Sequence, residues 1–240
     1  MAAAGSVHEH LRSLCPTLSV GVLSADLMRL GDELSLLEDA GVGTIHVDVM
    51  DGRFAPVLTV GPAFIKGLRT PLLKDIHLMV HEPSDVIPEY VAAGADIITV
   101  HVESAVHIHR VLQRLGQLES THMPGSQIVR GLALGPATPL EWLTPPLLDQ
   151  VEMVVLLAVD PGWSGQRFAV SALDRLARVK TIIEAHGRPI LTCVDGGITR
   201  ENIGAVAAAG ADMVVAGSAV FAGGDTVENV AALMTALRAG

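Results

Sequence analysis

Repetition constrains this chain more than any single residue does. A short apolar run rich in Val and Ile leads into a Gly, Pro or polar loop, then into an amphipathic stretch ending in Ala-Gly, and the pattern recurs along 240 residues. The joints DAGVGTIHV, AAGADIITV and AAGADMVVA each read as a helix end with Gly at its C-terminal cap, a tight turn and the next strand. The apolar runs predict strands at 18–23, 44–49, 74–80, 97–102, 129–134, 153–159, 190–194 and 213–217. The stretches between them predict helices at about 26–40, 62–69, 84–93, 105–118, 139–148, 170–185, 199–209 and 226–238. Ser84, Asp85, Thr199 and Asp225 have the chemistry of helix starts. Near-continuous apolar strands alternating with helices argue for a parallel sheet covered by helices. Eight such units in a chain of this length fit a single closed (β/α)8 TIM barrel better than a doubly wound sheet. A dinucleotide-binding sheet also needs G-x-G-x-x-G after its first strand, where this chain has SADLMRLGDEL. No linker interrupts the pattern, so residues 15–240 are read as one barrel domain and residues 1–14 as a tail or short extra helix.

Composition narrows the possibilities. Half of the residues are hydrophobic but only 3% are aromatic, so the interior must be built from Val, Leu, Ile and Ala. The net charge of −10, with no basic run, argues against nucleic-acid binding, which draws most of its affinity from phosphate neutralisation. An anionic ligand must then be held by local devices such as backbone N–H groups. Cys15 and Cys193 form no C-x-x-C, and both are read as small apolar residues in a reducing, cytoplasmic setting. The opening MAAAGSVHEHLRS lacks the apolar core of a signal peptide, and no apolar run reaches the roughly 18 residues of a membrane span. No membrane association is expected.

Within this frame, TIHVDVMDGRF (residues 44–54) is anomalous, because it sets His46, Asp48 and Asp51 among apolar strand residues. A buried carboxylate is costly unless it is paired or bound to a metal. Period-two alternation points His46, Asp48 and Met50 the same way, into the barrel mouth where such folds keep their catalytic groups. The third strand, KDIHLMV, adds His77 and Met79 at the same spacing; the fourth adds His101 and the seventh Asp195. Histidines and carboxylates at one end of neighbouring strands supply N/O ligands that suit Zn²⁺ and also Mn²⁺, Fe²⁺ or Co²⁺. A single strand histidine would instead be read as a hydrogen-bonded core residue. Asp51 points the other way and is read as bracing the loop. His8, His10, His81, His107, His109, His122 and His186 are read as surface residues.

Three consecutive Gly-rich loops follow strands six, seven and eight: VDPGWSGQRF (159–168), DGGITREN (195–202) and AGSAVF (216–221). Loops after the last strands are where such barrels cradle phosphate, and Gly lets backbone N–H groups approach the anion.

LSADLMRLGDEL, HVDVMDGRF, DIHLMV, AGADIITVH, VDPGWSGQRF and VDGGITREN with GADMVVAGSAVF together resemble the ribulose-phosphate 3-epimerase family, over roughly residues 18–223. The resemblance implies a TIM barrel of the ribulose-phosphate-binding type and a metal-dependent isomerase of carbohydrate metabolism that epimerises C3 of a ketose phosphate. It implies His46, Asp48, His77 and Asp195 as ligands of one divalent ion, Zn²⁺ first, with Asp48 and Asp195 also the acid/base pair. Gly162, Trp163, Ser164, Gly165, Gly196, Gly197, Gly217 and Ser218 would hold the phosphate, and Gly21, Met50, Met79 and Leu157 would line the pocket. For Met50 and Met79, plain core packing is an equal reading. D-ribulose 5-phosphate to D-xylulose 5-phosphate, the pentose phosphate pathway reaction, is the first reading. A hexulose 6-phosphate such as D-allulose 6-phosphate, or a tetrulose phosphate, is the alternative. A homo-oligomer, dimer or hexamer, is also implied.

The chain departs from the family pattern in several places. Gly21 stands for the usual Ser, Arg53 for His, Val57 for Asn, Leu157 for Met, Trp163 and Ser164 for Phe and Gly, and Gly135 for Asn or Lys, while residues 119–127 lengthen the connection before strand five. Lost hydroxyl and amide groups bear on which sugar is accepted. Two rival readings are another phosphate-binding barrel, which leaves the His/Asp set without purpose, and a non-catalytic sugar-phosphate sensor.

Overall fold

The computed structural model describes residues 5–163 and 165–240, and in it the repeat resolves into strands that close on themselves in chain order. β1 (Thr17–Gly21), β2 (Thr44–Met50), β3 (Leu73–Met79), β4 (Ile97–His101), β5 (Val129–Leu134), β6 (Met153–Leu157), β7 (Leu191–Asp195) and β8 (Met213–Ala216) form a closed parallel barrel, β8 pairing back onto β1. The helices are α1 (Val7–Leu14), α2 (Leu30–Asp39), α3 (Pro62–Gly67), α4 (Ile87–Ala92), α5 (Ile108–Leu115), α6 (Pro145–Leu148), α7 (Ser171–His186), α8 (Ile203–Ala208), α9 (Ser218–Phe221) and α10 (Thr226–Ala239). Each strand lies within two residues of its expected bounds.

The helices differ more, for local reasons. The stretch 139–148 is not one helix: a 3-10 turn at Leu140–Trp142 precedes α6, and Thr144 between them is extended (φ −78°, ψ 153°). Pro145 follows Thr144, and a proline disfavours the α conformation in the residue before it. α8 starts at Ile203 rather than 199 because Thr199–Asn202 form a turn in which Asn202 Oδ1 accepts from the Thr199 N–H at 2.8 Å. Asp225 does cap α10, accepting from the Glu228 N–H at 2.9 Å.

Strand alternation sorts side chains into two cores. One set, with Ile45, Val47, Ile76, Leu78, Ile98 and Val154, packs outward against the helices. The other, with Leu73, Ile97, Val129, Met153, Leu191 and Met213, fills the barrel at the start of its strands and packs on Val7 and Leu11 of α1. Residues Val7–Leu14 form a short helix. It is nucleated by a capping box, Ser6 Oγ accepting from the Glu9 N–H and Glu9 Oε2 from the Ser6 N–H, and it plugs the barrel floor. The lengthened segment 119–127 serves the same end. Ser126 Oγ accepts from the Val7 N–H at 2.8 Å, Met123 joins the inner cluster, and Ser120 Oγ and His122 Nδ1 bond the buried Asp96 at 2.8 and 2.9 Å.

Leu11 is fully buried, so Leu11→Ala should cost about 2–5 kcal/mol in urea unfolding while leaving the strand ends unmoved; an unchanged midpoint would mean that α1 does not pack on the floor. Burial pushes the Cys15 thiol up to about 12 and Cys193 well above its ordinary value. Neither thiol should react with iodoacetamide at pH 8 until denaturant is added.

Candidate metal centre and active site

The register of the barrel assembles the site. β2 and β3 pair so that His46 stands beside Asp75, Asp48 beside His77, and Met50 beside Met79. Asp195 comes from β7, paired to Leu157 of β6. One ligand atom from each of His46, Asp48, His77 and Asp195 lies within 4.8 Å of all the others. His46 Nε2 is 3.2 Å from Asp48 Oδ1 and 3.7 Å from Asp195 Oδ2; His77 Nδ1 is 3.3 and 3.2 Å from the same two oxygens. Ligand atoms about 2.0–2.2 Å from a tetrahedral ion stand about 3.3–3.6 Å apart, so the spacing fits a divalent cation. The chemistry fits as well. His77 Nδ1 is buried with no hydrogen-bond partner, a state that is rare in folded proteins and that a cation between it and the carboxylates would relieve. Both imidazoles are almost wholly enclosed, whereas the Asp48 side chain is 34% exposed and marks the open side.

Each imidazole is braced from behind. His46 Nδ1 pairs with Asp75 Oδ2 at 2.7 Å, and that oxygen also accepts from Ser19 Oγ at 3.2 Å. A carboxylate behind a histidine fixes its ring and directs the other nitrogen forward. His77 Nε2 instead faces His101 Nε2 at 2.9 Å, and His101 Nδ1 faces Glu103 Oε2 at 3.1 Å. Sequence reasoning passed over Asp75 and Glu103. Each lies two residues from a candidate histidine on the same strand or its end, the spacing that already placed the ligands on one face.

Asp51 braces the loop after β2, as its direction suggested. Its Oδ1 accepts from the Arg53 and Phe54 N–H groups and its Oδ2 from the His81 N–H, all at 2.8 Å. Met79 and Leu157 are buried beside the cluster and Met50 is half-buried above it. Gly21 and Gly217 meet where β1 and β8 end: a Cβ on Gly21 would lie 3.3 Å from Gly217 Cα, and one on Gly217 would lie 2.6 Å from Ser24 Oγ. Gly197 has φ +67°, and a Cβ there would sit 2.7 Å from the Phe168 N, so the loops after β6 and β7 touch only because it is glycine. Gly162, Gly165, Gly196 and Ser218 flank the same mouth on the loops after β6, β7 and β8. The Trp163 side chain is 60% exposed and not packed on the cluster, and Ser164 lies outside the described residues.

Three histidines read as surface residues are more engaged. His122 bonds Asp96, His186 is only 13% exposed in its side chain and lies 3.1 Å from Asp149, and His8 is half-buried under the floor. α1 and the floor draw His8 inward, a placement that no spacing in the sequence signals.

The sequence pattern of the Ribulose-phosphate 3 epimerase family matches residues 17–221. Ribulose-phosphate 3-epimerase 1 of Cupriavidus necator is 40% identical over 228 residues, covering 92% of this chain and 90% of that protein. Ribulose-phosphate 3-epimerase of Escherichia coli K12 is 41% identical over 209 residues, covering 85% and 88%. Among solved structures, KGPDC from Streptococcus mutans superposes with a TM-score of 0.66 over 93% of this chain and 98% of that one; at 13% identity this likeness shows the fold alone.

The electrostatics of the cluster favour a cation. Burial opposes charge on His46, yet Asp75 and Asp48 hold its pKa well above the ordinary value. Burial opposes charge on His77 too, but the nearby Asp195 and Asp48 carboxylates raise it to about 9. Asp48 is held far below the carboxylate range by the two imidazoles, against its own burial. An imidazolium cannot ligate, so below about pH 9 a metal must displace the His77 proton. Affinity for a divalent cation, measured by competition with a chelator of known protonation, should rise with pH, about tenfold per unit for each proton displaced, and more shallowly above about pH 9. Affinity independent of pH between 6 and 9 would show that His77 is not a ligand.

Proposed function

The chain belongs to the ribulose-phosphate 3-epimerase family, and from that premise we propose that it is a metal-dependent isomerase interconverting D-ribulose 5-phosphate and D-xylulose 5-phosphate by inversion at C3. The observation that carries the reading is the convergence of two carboxylates from separate sides of the mouth. Asp48 sits on β2 and Asp195 on β7, with β1 and β8 between them in the barrel order. Inversion requires a proton to leave one face of C3 and another to arrive on the opposite face. One carboxylate takes the proton, the other returns one from the far side, and the roles exchange in the reverse direction.

His46, Asp48, His77 and Asp195 would hold the ion, with Zn²⁺ first and Fe²⁺, Mn²⁺ or Co²⁺ also suited to such N/O donors. When bound, a divalent cation supplies positive charge opposite the negative charge that develops on the sugar oxygens as the C3 proton leaves. Asp75 and His101 keep the two imidazoles turned toward that point. Met50, Met79 and Leu157 form an apolar wall that limits water around the reacting carbon. The backbone of Gly162, Trp163, Ser164, Gly165, Gly196, Gly197, Gly217 and Ser218 would hold the phosphate, a role that suits an acidic protein with no basic patch.

The metabolic setting points to the cytoplasm, and no helix among the described residues is long and apolar enough to cross a membrane. Val106 and Trp142, 84% and 49% exposed, line one surface hollow on the segments after β4 and β5, and this apolar patch supports a homo-oligomer, dimer or hexamer.

Incubating the enzyme with a panel of ketose phosphates in deuterated water should place deuterium at C3 of the pentulose 5-phosphates fastest, and chelator should stop it. Asp48→Asn and Asp195→Asn should each lower turnover about 10²–10⁴-fold or more. Folded variants that keep full turnover would remove the acid/base assignment, and exchange confined to a hexulose or tetrulose phosphate would change the substrate.

A further inference from the structure

His77 and His46 present opposite nitrogens to the same point: His46 turns Nε2 forward and keeps Nδ1 on Asp75, while His77 turns Nδ1 forward and keeps Nε2 on His101. A neutral imidazole carries one ring proton, and the nitrogen that ligates must be the bare one. His77 can therefore offer Nδ1 only when its proton sits on Nε2. A carboxylate behind Nε2 would enforce this directly, as Asp75 does for His46. His77 has another imidazole there, which can either donate or accept.

What removes the ambiguity is the next link. Two facing ring nitrogens 2.9 Å apart share one proton, so if His77 Nε2 donates, His101 Nε2 must accept and the His101 proton must lie on Nδ1. Glu103 Oε2 stands 3.1 Å from that nitrogen and, as a carboxylate, can only accept. The opposite arrangement would aim a bare His101 nitrogen at the carboxylate. Glu103 is itself fixed, its Oε1 accepting from the Gly135 N–H at 2.8 Å and from the Thr138 hydroxyl. Arg175 holds both of those residues through their carbonyl oxygens, at 3.1 and 2.8 Å. His101 is buried, its ring edge to edge and nearly coplanar with that of His77, centroids 5.0 Å apart, and covered by Phe54 at 4.7 Å, so water does not compete for its nitrogens.

We propose that His101 and Glu103 are positioning residues that lock His77 in the tautomer whose Nδ1 binds the metal, and that the loop after β5 is thereby part of the metal centre's support. The inference rests on His77 being a ligand. Partners behind metal ligands typically govern affinity by about 10–100-fold. His101→Phe keeps an aromatic ring at the position but removes the acceptor; it should lower the affinity for Zn²⁺ by about that factor with little change in the melting temperature of the metal-free protein. His101→Gln puts an amide oxygen within reach of His77 Nε2–H and should restore much of the loss. Glu103→Leu should lower affinity in the same direction, and nitrogen-15 spectra of the Zn²⁺-loaded wild type should show the His77 proton on Nε2. If His77→Ala abolishes binding while His101→Phe and Glu103→Leu bind Zn²⁺ like the wild type, the positioning role is wrong and the ligand reading stands. If His77→Ala binds as tightly as the wild type, the ligand reading itself has failed.

Discussion

Placing two carboxylates and two imidazoles inside an aliphatic barrel costs free energy that only mutual pairing and bound charge can offset. The rest of the molecule is arranged around that cost. The in-register pairing of β2 with β3 sets Asp48 against His77, and barrel closure brings Asp195 round from β7 to meet them. Asp75, with Ser19, and His101, with Glu103, then answer the remaining nitrogens, so that what is left unanswered at the centre is a set of lone pairs facing one point. The aliphatic layer beneath, closed by α1, keeps water from solvating the cluster from below.

Much of this was legible because the relevant signals are periodic. Period-two alternation placed His46, Asp48 and Met50 on one face, and the strand of each candidate was found within two residues of its expected bounds. The Gly-rich loops declared themselves by number and position. What escaped reading depended on contacts between distant segments or on short-range competition. Asp75 and Glu103 needed knowledge of which histidine nitrogen faced which neighbour. The break between Leu140–Trp142 and α6 was written in Thr144-Pro145 but hidden by an amphipathic pattern that spanned it. Nothing local in 119–127 announces that it packs beneath the barrel.

Four of the expected departures from the family pattern differ in how they bear on the site. Gly21 is the β1 neighbour of His46 and Leu157 the β6 neighbour of Asp195, so both stand against the His/Asp set, while Trp163 is exposed at the rim. Gly135 is different: its N–H holds Glu103, which holds His101, which faces His77. A backbone N–H can be supplied by almost any residue, so this contact is compatible with the side-chain change at position 135.

The plug under the floor also bears on how the chain reaches its native state. α1 and β1 precede their partners by most of the barrel: the Val7 N–H bonds Ser126, 119 residues away, and β1 pairs with β8 at Met213–Ala216. Neither partner exists when α1 and β1 themselves emerge. Contacts of such long sequence separation form late and slow the search for the native topology. The opening segment thus acts as a latch, set down on the hydrophobic floor when the seam between the first and last strands shuts.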